Sequence, residues 1–524
     1  MYNTKKRYYI LFLILLANVA NQVYSFSTYS LWGHDPYPRY STLDPHEFLY
    51  RRYRERLKGW LEEEDGKERD ERFALSITPF MQSSDRGKTI SNETAFLGDI
   101  PGRWNMLALL FGETPENCTL PPSLQTAKDE IFKNIDLTPE DEELYVDPCQ
   151  VFGFFSVPLK YCKRGVRFQA DFRIVNDFGA YIQCGFADIN QCLENPCRLP
   201  TFCGCTCDSM CPPTVNSDGE IEQNPTCGNA CSDQTCQSTG KPLCSTVDQL
   251  PVDLTPCYSS DNFPNSHVDS SLQITKSDVE TYLMKRLYTI AREICFDLCC
   301  FNKCYVEDIH FNFFWRHAFD ITPGREACEN HFLVIPYLVA RFTAATGQIR
   351  CPWQAFGLSF GNNGHNGIGV KGGINIVFAE TVEVGGEVGI MHFLPKTFCD
   401  YRVPNSIFQS GIYPFSTNVR IEPGLNCHIA LKLAAYHFLG CLSGYFQYVA
   451  IVHNKDKICL CNSDPAFQPC LLECISDWKT QIANIGFNYD ISPNISLGFL
   501  WQAPLSQRRA YRSSTVMFGF NVTY

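Results

Sequence analysis

Apolar and polar residues alternate one for one at the C-terminal end of the chain. From Val516 to Tyr524 every second residue, beginning with Val516, is apolar or aromatic, and the residues between them are mostly small or polar. Successive side chains of a β-strand point to opposite faces, so this period of two predicts a strand with one apolar face. Such a face is unusual at the end of a soluble chain, where termini tend to fray.

The same period recurs along most of the chain. It is cleanest at Val166–Ile174, where four polar or charged residues share one face. That face must line water, because an Arg facing lipid at the bilayer midplane costs roughly 2–4 kcal/mol. Tight turns, as at Asn176-Asp177, alternate with long loops. The pattern predicts an all-β fold, a transmembrane antiparallel up-and-down β-barrel of about 14 strands within a range of roughly 12–16.

The predicted domain organisation follows from composition along the chain. Residues 1–25 have the basic start, apolar stretch and small-residue site of a cleaved signal peptide. Residues 26–71 are predicted to form an N-terminal periplasmic helical segment, because apolar residues recur there at helical spacing. The barrel is predicted at 72–524, interrupted by a helical insertion at 112–148 and a cysteine-rich surface or plug insertion at 188–304. Its predicted strands include one at about 103–111 and one that begins at 151.

The chain has 28 cysteines, many of them clustered. In an exported protein this number predicts disulfides that stabilise loops. Zinc and iron–sulfur sites also use clustered thiolates, but no cluster has two well-spaced Cys-x-x-Cys pairs or accompanying His pairs, so we predict no metal site. The pairing remains open. The candidate disulfide residues are Cys203, Cys205, Cys207, Cys211, Cys227, Cys231, Cys236, Cys244, Cys459, Cys461, Cys470 and Cys474.

Two short motifs match catalytic or cofactor-binding patterns, but the sequence that follows each motif does not fit the pattern. Gly357–Gly361 matches the nucleophile pattern of hydrolases, yet a loop follows it where a helix is required. Gly367–Gly372 matches a dinucleotide-binding pattern, but no helix opens after it. We therefore expect neither an enzyme nor a cofactor. The net charge of −12, without a basic stripe, also excludes a nucleic-acid partner.

Charged residues on the polar strand faces are predicted to line a water-filled lumen. They are Arg167, Asp171, Arg173, Lys371, Glu383, Glu387, His428 and Lys432. Mixed charges at close quarters tune the selectivity of a pore. The leading functional prediction is passive diffusion of small polar solutes through this lumen.

The C-terminal strand resembles the assembly signal of porin-like outer-membrane β-barrel proteins of Gram-negative bacteria. Gly519, Val522 and Tyr524 match that signal, whereas Met517 stands where a polar residue is usual. The resemblance covers the chain from about residue 72 to its end and implies an outer-membrane location, with lipid and the barrel-assembly machinery as partners. The abundance of cysteine is similar to that of the disulfide-linked major porins of chlamydia-type bacteria.

Two other functions remain open from the sequence. The chain could instead be a structural or adhesive envelope protein in which the barrel is only an anchor. Its cysteine-rich loops would then cross-link copies of the chain or other envelope proteins, or contact a host surface. A soluble, secreted, cysteine-rich protein is the third possibility. The repeated apolar strand faces oppose it, because they would expose more apolar surface than a soluble monomer tolerates.

Overall fold

The structure is a computed structural model. It describes residues 73–110, 112–116, 118–134, 154–175, 177–194, 282–283, 285–321, 332–378, 381–406, 408–439, 441–492 and 495–523. The predicted signal peptide, the N-terminal helical segment and most of the 188–304 insertion lie outside these residues, and their predicted boundaries stay predictions.

Twelve antiparallel strands form a closed barrel. In chain order they are β1 (Phe73–Ser84), β2 (Leu159–Val175), β3 (Phe178–Leu193), β4 (Ile309–Arg316), β5 (Leu333–Ala344), β6 (Gly367–Phe378), β7 (Val382–Phe393), β8 (Asn426–Leu439), β9 (Leu442–His453), β10 (Trp478–Ser492), β11 (Ile495–Arg508) and β12 (Ser514–Thr523). Each strand pairs with its neighbours in sequence. The first strand, β1, pairs with both β2 and β12, which closes the sheet.

Shorter elements surround the barrel. Phe301–Val306 extends the barrel sheet beside β3, and Phe319–Asp320 extends it beside β5. The helices are α1 (Pro122–Asn134), α2 (Leu287–Glu293) and α3 (Pro469–Cys474), with 3-10 turns at Leu97–Asp99 and Leu107–Leu110. The small sheets join Arg86–Lys88 with Thr94–Phe96 and Ala510–Tyr511, Trp104–Asn105 with Phe154–Phe155, and Lys396–Arg402 with Ser416–Glu422 and Lys457–Leu460.

The barrel has twelve strands where about fourteen were predicted. The strands predicted at 103–111 and from 151 do not enter the wall, and only Trp104–Asn105 and Phe154–Phe155 pair with each other outside it. Residues 104–110 are buried without alternation. A wall strand needs one face outward and one inward, so this apolar run forms part of a packed core instead.

The outer surface of the barrel is an exposed apolar belt. In β2, the outward-facing side chains of Phe172 and Ile174 are exposed. The inward-facing side chains of Arg167, Gln169 and Asp171 are buried. Every strand of the barrel contributes to this belt. Its members include Met81, Phe172, Ile182, Phe313, Leu338, Ile374, Val388, Leu431, Phe446, Phe487, Leu497 and Phe518.

The two ends of the barrel differ. Tight turns join β2 to β3, β6 to β7, β8 to β9 and β10 to β11 at the short-turn end. At the opposite, long-loop end the connections fold into a cap, which holds the helices and small sheets. Inward-facing Phe80, Val449, Leu500 and Met517 belong to the same buried apolar cluster as cap residues such as Trp104. The cap therefore packs into the barrel at its long-loop end.

Candidate functional site on the inner face of the barrel

The eight residues predicted to line the lumen lie on inward-facing strand positions, in two groups. Arg167, Asp171 and Arg173 are on β2. The other five lie on the adjoining strands β6, β7 and β8, and they are Lys371, Glu383, Glu387, His428 and Lys432. All eight follow from the pleat, which sends alternate side chains to the same face.

Glu307 joins the β2 group, although it lies outside any strand. Its carboxylate contacts Lys163 Nζ at 2.6 Å and Arg167 Nε at 2.9 Å. The Arg167 guanidinium also lies 4.2 Å from the ring centroid of Phe80. Burial alone would raise the pKa of Glu307, but Arg167 and Lys163 outweigh it and hold that pKa well below its ordinary value. Glu307 is therefore an ionised, buried anchor between two cations of one strand.

Hydrogen bonds of amide side chains extend from the β2 group to the strands beside it. Gln169 Nε2 donates to Asp171 Oδ2 at 2.9 Å, and Gln183 Nε2 donates to Gln169 Oε1. Arg341 Nε donates to Asn312 Oδ1 at 2.7 Å. These hydrogen bonds link β2, β3, β4 and β5, and such connected networks rigidify a buried polar surface.

Asp308 lies next to Glu307 and holds a cap loop. Its carboxylate accepts hydrogen bonds from the backbone N–H groups of Gly347 at 2.9 Å and Asn362 at 2.6 Å. Burial raises the pKa of Asp308 to about 6 despite these donors. Nearby in the same loop, burial lowers the pKa of His365 to about 4. The rim at the long-loop end thus contains two groups that change charge in mildly acidic solution.

The second group is built on the two carboxylates of β7. Glu387 accepts from Lys371 Nζ at 2.7 Å, Tyr337 OH at 2.9 Å and His428 Nε2 at 2.9 Å. A carboxylate with several such donors is fixed in place.

Glu383 lies four residues from Glu387 along β7, closer to the short-turn end. It accepts from Lys432 Nζ at 3.1 Å and from Tyr436 OH at 3.1 Å. Both acidic residues of β7 are therefore paired with a lysine of an adjacent strand and with a tyrosine, Tyr337 of β5 or Tyr436 of β8.

Glycines let these side chains lie flat against the wall. A Cβ at Gly389 would be 2.2 Å from His428 Cε1, and one at Gly373 would be 2.6 Å from the Tyr337 hydroxyl. A Cβ at Gly385 would be 2.3 Å from Asn375 Oδ1. Side chains of neighbouring strands thus occupy the space above glycine instead of extending toward the barrel axis.

Solvent accessibility differs around the inner face. The side chains of Lys371 and Lys432 retain 16% and 18% exposure. Ser496 and Asn521, on β11 and β12, are fully buried. Gln447 of β9 and Asn488 of β10 also face inward and are half-buried. The accessible part of the inner face therefore includes β6 to β10.

Sequence reasoning missed several residues of these clusters. Lys163 was detectable, because it continues the alternation of β2 toward the start of that strand. Glu307 was not, since it lies between strands and meets β2 only through a contact 140 residues away in sequence. Tyr337 and Tyr436 were missed because a pattern of apolar and polar residues counts tyrosine as apolar, although its hydroxyl forms hydrogen bonds.

The predicted disulfide residues lie in two places. Cys203, Cys205, Cys207, Cys211, Cys227, Cys231, Cys236 and Cys244 are outside the residues that the structure describes. Cys459 is on the short strand Lys457–Leu460, Cys461 follows it, and Cys470 and Cys474 are on α3. In the described part, Cys192 forms a disulfide with Cys300 and so links the end of β3 to the strand beside it.

The predicted assembly residues lie on or beyond β12. Gly519 faces inward opposite Gly498 of β11, and Val522 faces outward opposite Ile495 and Leu75. Tyr524 lies outside the described residues.

Comparisons with known proteins find barrels only at the level of structure. No family model and no curated protein matches the sequence. An outer membrane channel from Pseudomonas putida F1 matches with a TM-score of 0.41 and 7% identity, over 87% of this chain and 96% of that one. The translocator domain of the autotransporter NalP from Neisseria meningitidis matches with a TM-score of 0.29 and 6% identity, over 92% and 98%. The barrel assignment itself rests on the strand pairing of this chain.

The expectation that the chain is not an enzyme needs correction. A further match is a loop-deletion mutant of OmpT, an outer membrane protein of Vibrio cholerae, with a TM-score of 0.21 and 6% identity over 86% of this chain and 98% of that one. A barrel fold by itself does not exclude catalysis.

Two features are absent from the described residues. None of their helices is both long enough and apolar enough to cross a bilayer. Within the same ranges no three His, Cys, Asp or Glu side chains come together as metal ligands would.

Replacing Glu307 with Gln is expected to destabilise the protein by about 3–5 kcal/mol, because Lys163 and Arg167 would keep buried charges without a counter-ion. Urea unfolding of the protein in lipid vesicles measures this. Glu194 provides a matched control, since it contacts Arg86 and Lys160 at the surface. Glu194→Gln should cost about 0–1 kcal/mol. Equal losses in the two variants would show that Glu307 is not an internal anchor.

Asp308 is expected to make stability depend on pH. Its pKa is higher in the folded state than its ordinary value of 3.8. The folded state therefore holds the proton more tightly, and Asp308 adds stability as the pH falls from about 6 to about 4. Asp308→Asn removes this contribution. As the pH falls over that interval, the unfolding free energy of the wild type should rise relative to that of the variant by up to about 3 kcal/mol. His365 acts in the opposite direction in both proteins, so a difference that stays constant with pH would contradict the assignment.

Proposed function

We propose that the chain is an outer-membrane channel of the porin type, through which small polar solutes diffuse passively. One observation carries the proposal: a closed barrel has an apolar outer belt on every strand and a charged, partly accessible inner face. Lipid on the outside and water on the inside account for both faces. The proposal includes a cleaved signal peptide and outer-membrane assembly, and the cysteine content favours a relation to chlamydia-type porins.

The apolar belt predicts which substitutions block membrane assembly. Phe518 is 57% exposed on the outer face of β12. Phe518→Arg places a charge in lipid, which costs roughly 2–4 kcal/mol at the midplane, and should prevent folding into vesicles. Asn488→Arg is the control, because Asn488 is an inward-facing, half-buried residue of β10. Heat-modifiable electrophoretic mobility reports folding, and equal tolerance of both arginines would reverse the assignment of the two faces.

The cap determines how the channel opens. Arg402 donates to the backbone carbonyls of Tyr413 at 3.0 Å, Pro414 at 2.8 Å and Ile294, so it connects α2 to a cap loop. Its guanidinium also lies 4.8 Å from the ring centroid of Trp353. Removing this cation leaves buried carbonyls without donors and weakens the cap by about 3 kcal/mol.

Planar-bilayer recordings test the channel directly. The wild type should form ion-conducting channels of low open probability, and Arg402→Met should raise that probability because the cap is loosened. Arg420→Met is the control, since Arg420 is in the same small sheet and its side chain, 3.8 Å from Glu422, retains 35% exposure. If the wild type and Arg402→Met both insert and remain electrically silent, the channel proposal is wrong.

A structural envelope role is the second candidate. The side chains of Cys304 and Cys441 are exposed and carry free thiols, one at each end of the barrel. Exposed thiols in an oxidising compartment favour cross-links between molecules. Non-reducing electrophoresis of envelopes distinguishes this role, because thiol-sensitive oligomers would support it and a monomer alone would oppose it.

A further inference from the structure

Charges of alternating sign descend the inner face along β7. Lys371 pairs in register with Gly389, and Lys432 pairs with Gly385. These two positions alternate with Glu387 and Glu383 along the inward face of β7. The order from the long-loop end is cation, anion, cation, anion. Each step spans two residues of a strand, about 7 Å. We call these four residues the charge ladder.

Each charge of the ladder already has a partner. Lys371 binds Glu387 at 2.7 Å, and Lys432 binds Glu383 at 3.1 Å. The lysines remain the more exposed members of the pairs. A passing solute therefore meets balanced ion pairs instead of charges of one sign. A wall of balanced pairs attracts neither cations nor anions over long distances.

A zwitterion suits these pairs better than other solutes. Its ammonium group can bind a glutamate while its carboxylate binds the lysine, so one internal ion pair is replaced by two pairs with the solute. A simple ion would separate the pair and leave one wall charge without a partner, which is costly at a partly buried site. An uncharged polyol offers only neutral hydrogen bonds, which are weaker than charge-assisted ones.

From this geometry we propose that the charge ladder makes the channel selective for zwitterionic solutes of amino-acid type. The inference rests on the proposed channel function and adds the class of solute. The glycines of β6 and β7 serve the same end, because they keep the paired side chains against the wall and leave the space in front of them to the solute.

Solute uptake by proteoliposomes tests the ladder. Glutamine is the zwitterionic probe, and xylitol is an uncharged probe of similar size. Wild-type channels should admit glutamine about fivefold faster than xylitol, a ratio that corresponds to about 1 kcal/mol of differential interaction. Potassium chloride conductance of the same preparation is measured in parallel.

The decisive variant neutralises both pairs, with Lys371 and Lys432 changed to Met and Glu383 and Glu387 changed to Gln. It removes the paired charges that a zwitterion would bind and leaves no wall charge of the ladder without its partner. The expected result is loss of the preference for glutamine over xylitol in a barrel that still folds and conducts potassium chloride. Neutralising the surface pair, Arg164→Met with Asp188→Asn, is the matched control, because these residues are 2.8 Å apart outside the lumen, and it should leave the preference unchanged.

The outcomes separate the two proposals. Absence of salt conductance in every preparation would overturn the channel function itself. Conductance with equal rates for glutamine and xylitol would overturn the ladder alone. A preference that survives neutralisation of the ladder would also overturn it. Heat-modifiable mobility of each variant confirms that the barrel is folded.

Discussion

The pairing of β1 with β12 is the contact on which the rest of the structure depends. An open sheet has two edges of unpaired N–H and C=O groups, and in a bilayer each unsatisfied group costs several kcal/mol. Because β1 also pairs with β2, no barrel strand is left as an edge. Closure then fixes the face of every residue, since a shift of one position in register would turn the apolar belt inward and the charged residues outward.

The barrel interior also buries many polar side chains, and a buried polar group is costly unless it is hydrogen-bonded. At the long-loop end, inward-facing apolar residues such as Phe80 and Met517 pack against the cap. Elsewhere the wall carries ion pairs and amide networks, of which Glu307 with Lys163 and Arg167 is a buried example. A buried ion pair adds little net stability but is expensive to break, so these contacts define one arrangement of the wall more than they strengthen it.

The sequence predicted the wall because each wall strand has two distinct environments. Apolar alternation located β2, β7 and β12 and the residues on their inner faces. It failed where burial is complete on all sides, as at 104–110, because a run without alternation does not distinguish a strand from a core segment. Contacts such as Glu307 with Arg167 depend on how distant segments meet, and no local pattern encodes them. The free-energy balance of the cap likewise depends on packing between loops that are far apart in the chain.

The cap and the wall have separate physical roles. The inner face is formed by strands that are paired on both sides, whereas the loops of the cap are held to one another by polar contacts such as those of Arg402 and to the wall by the apolar cluster at the long-loop end. Local opening is cheapest where few elements must separate together. Movement of the cap therefore requires less free energy than any change in the closed wall. In the channel that we propose, the wall sets which solutes pass, and the stability of the cap sets how often they do so.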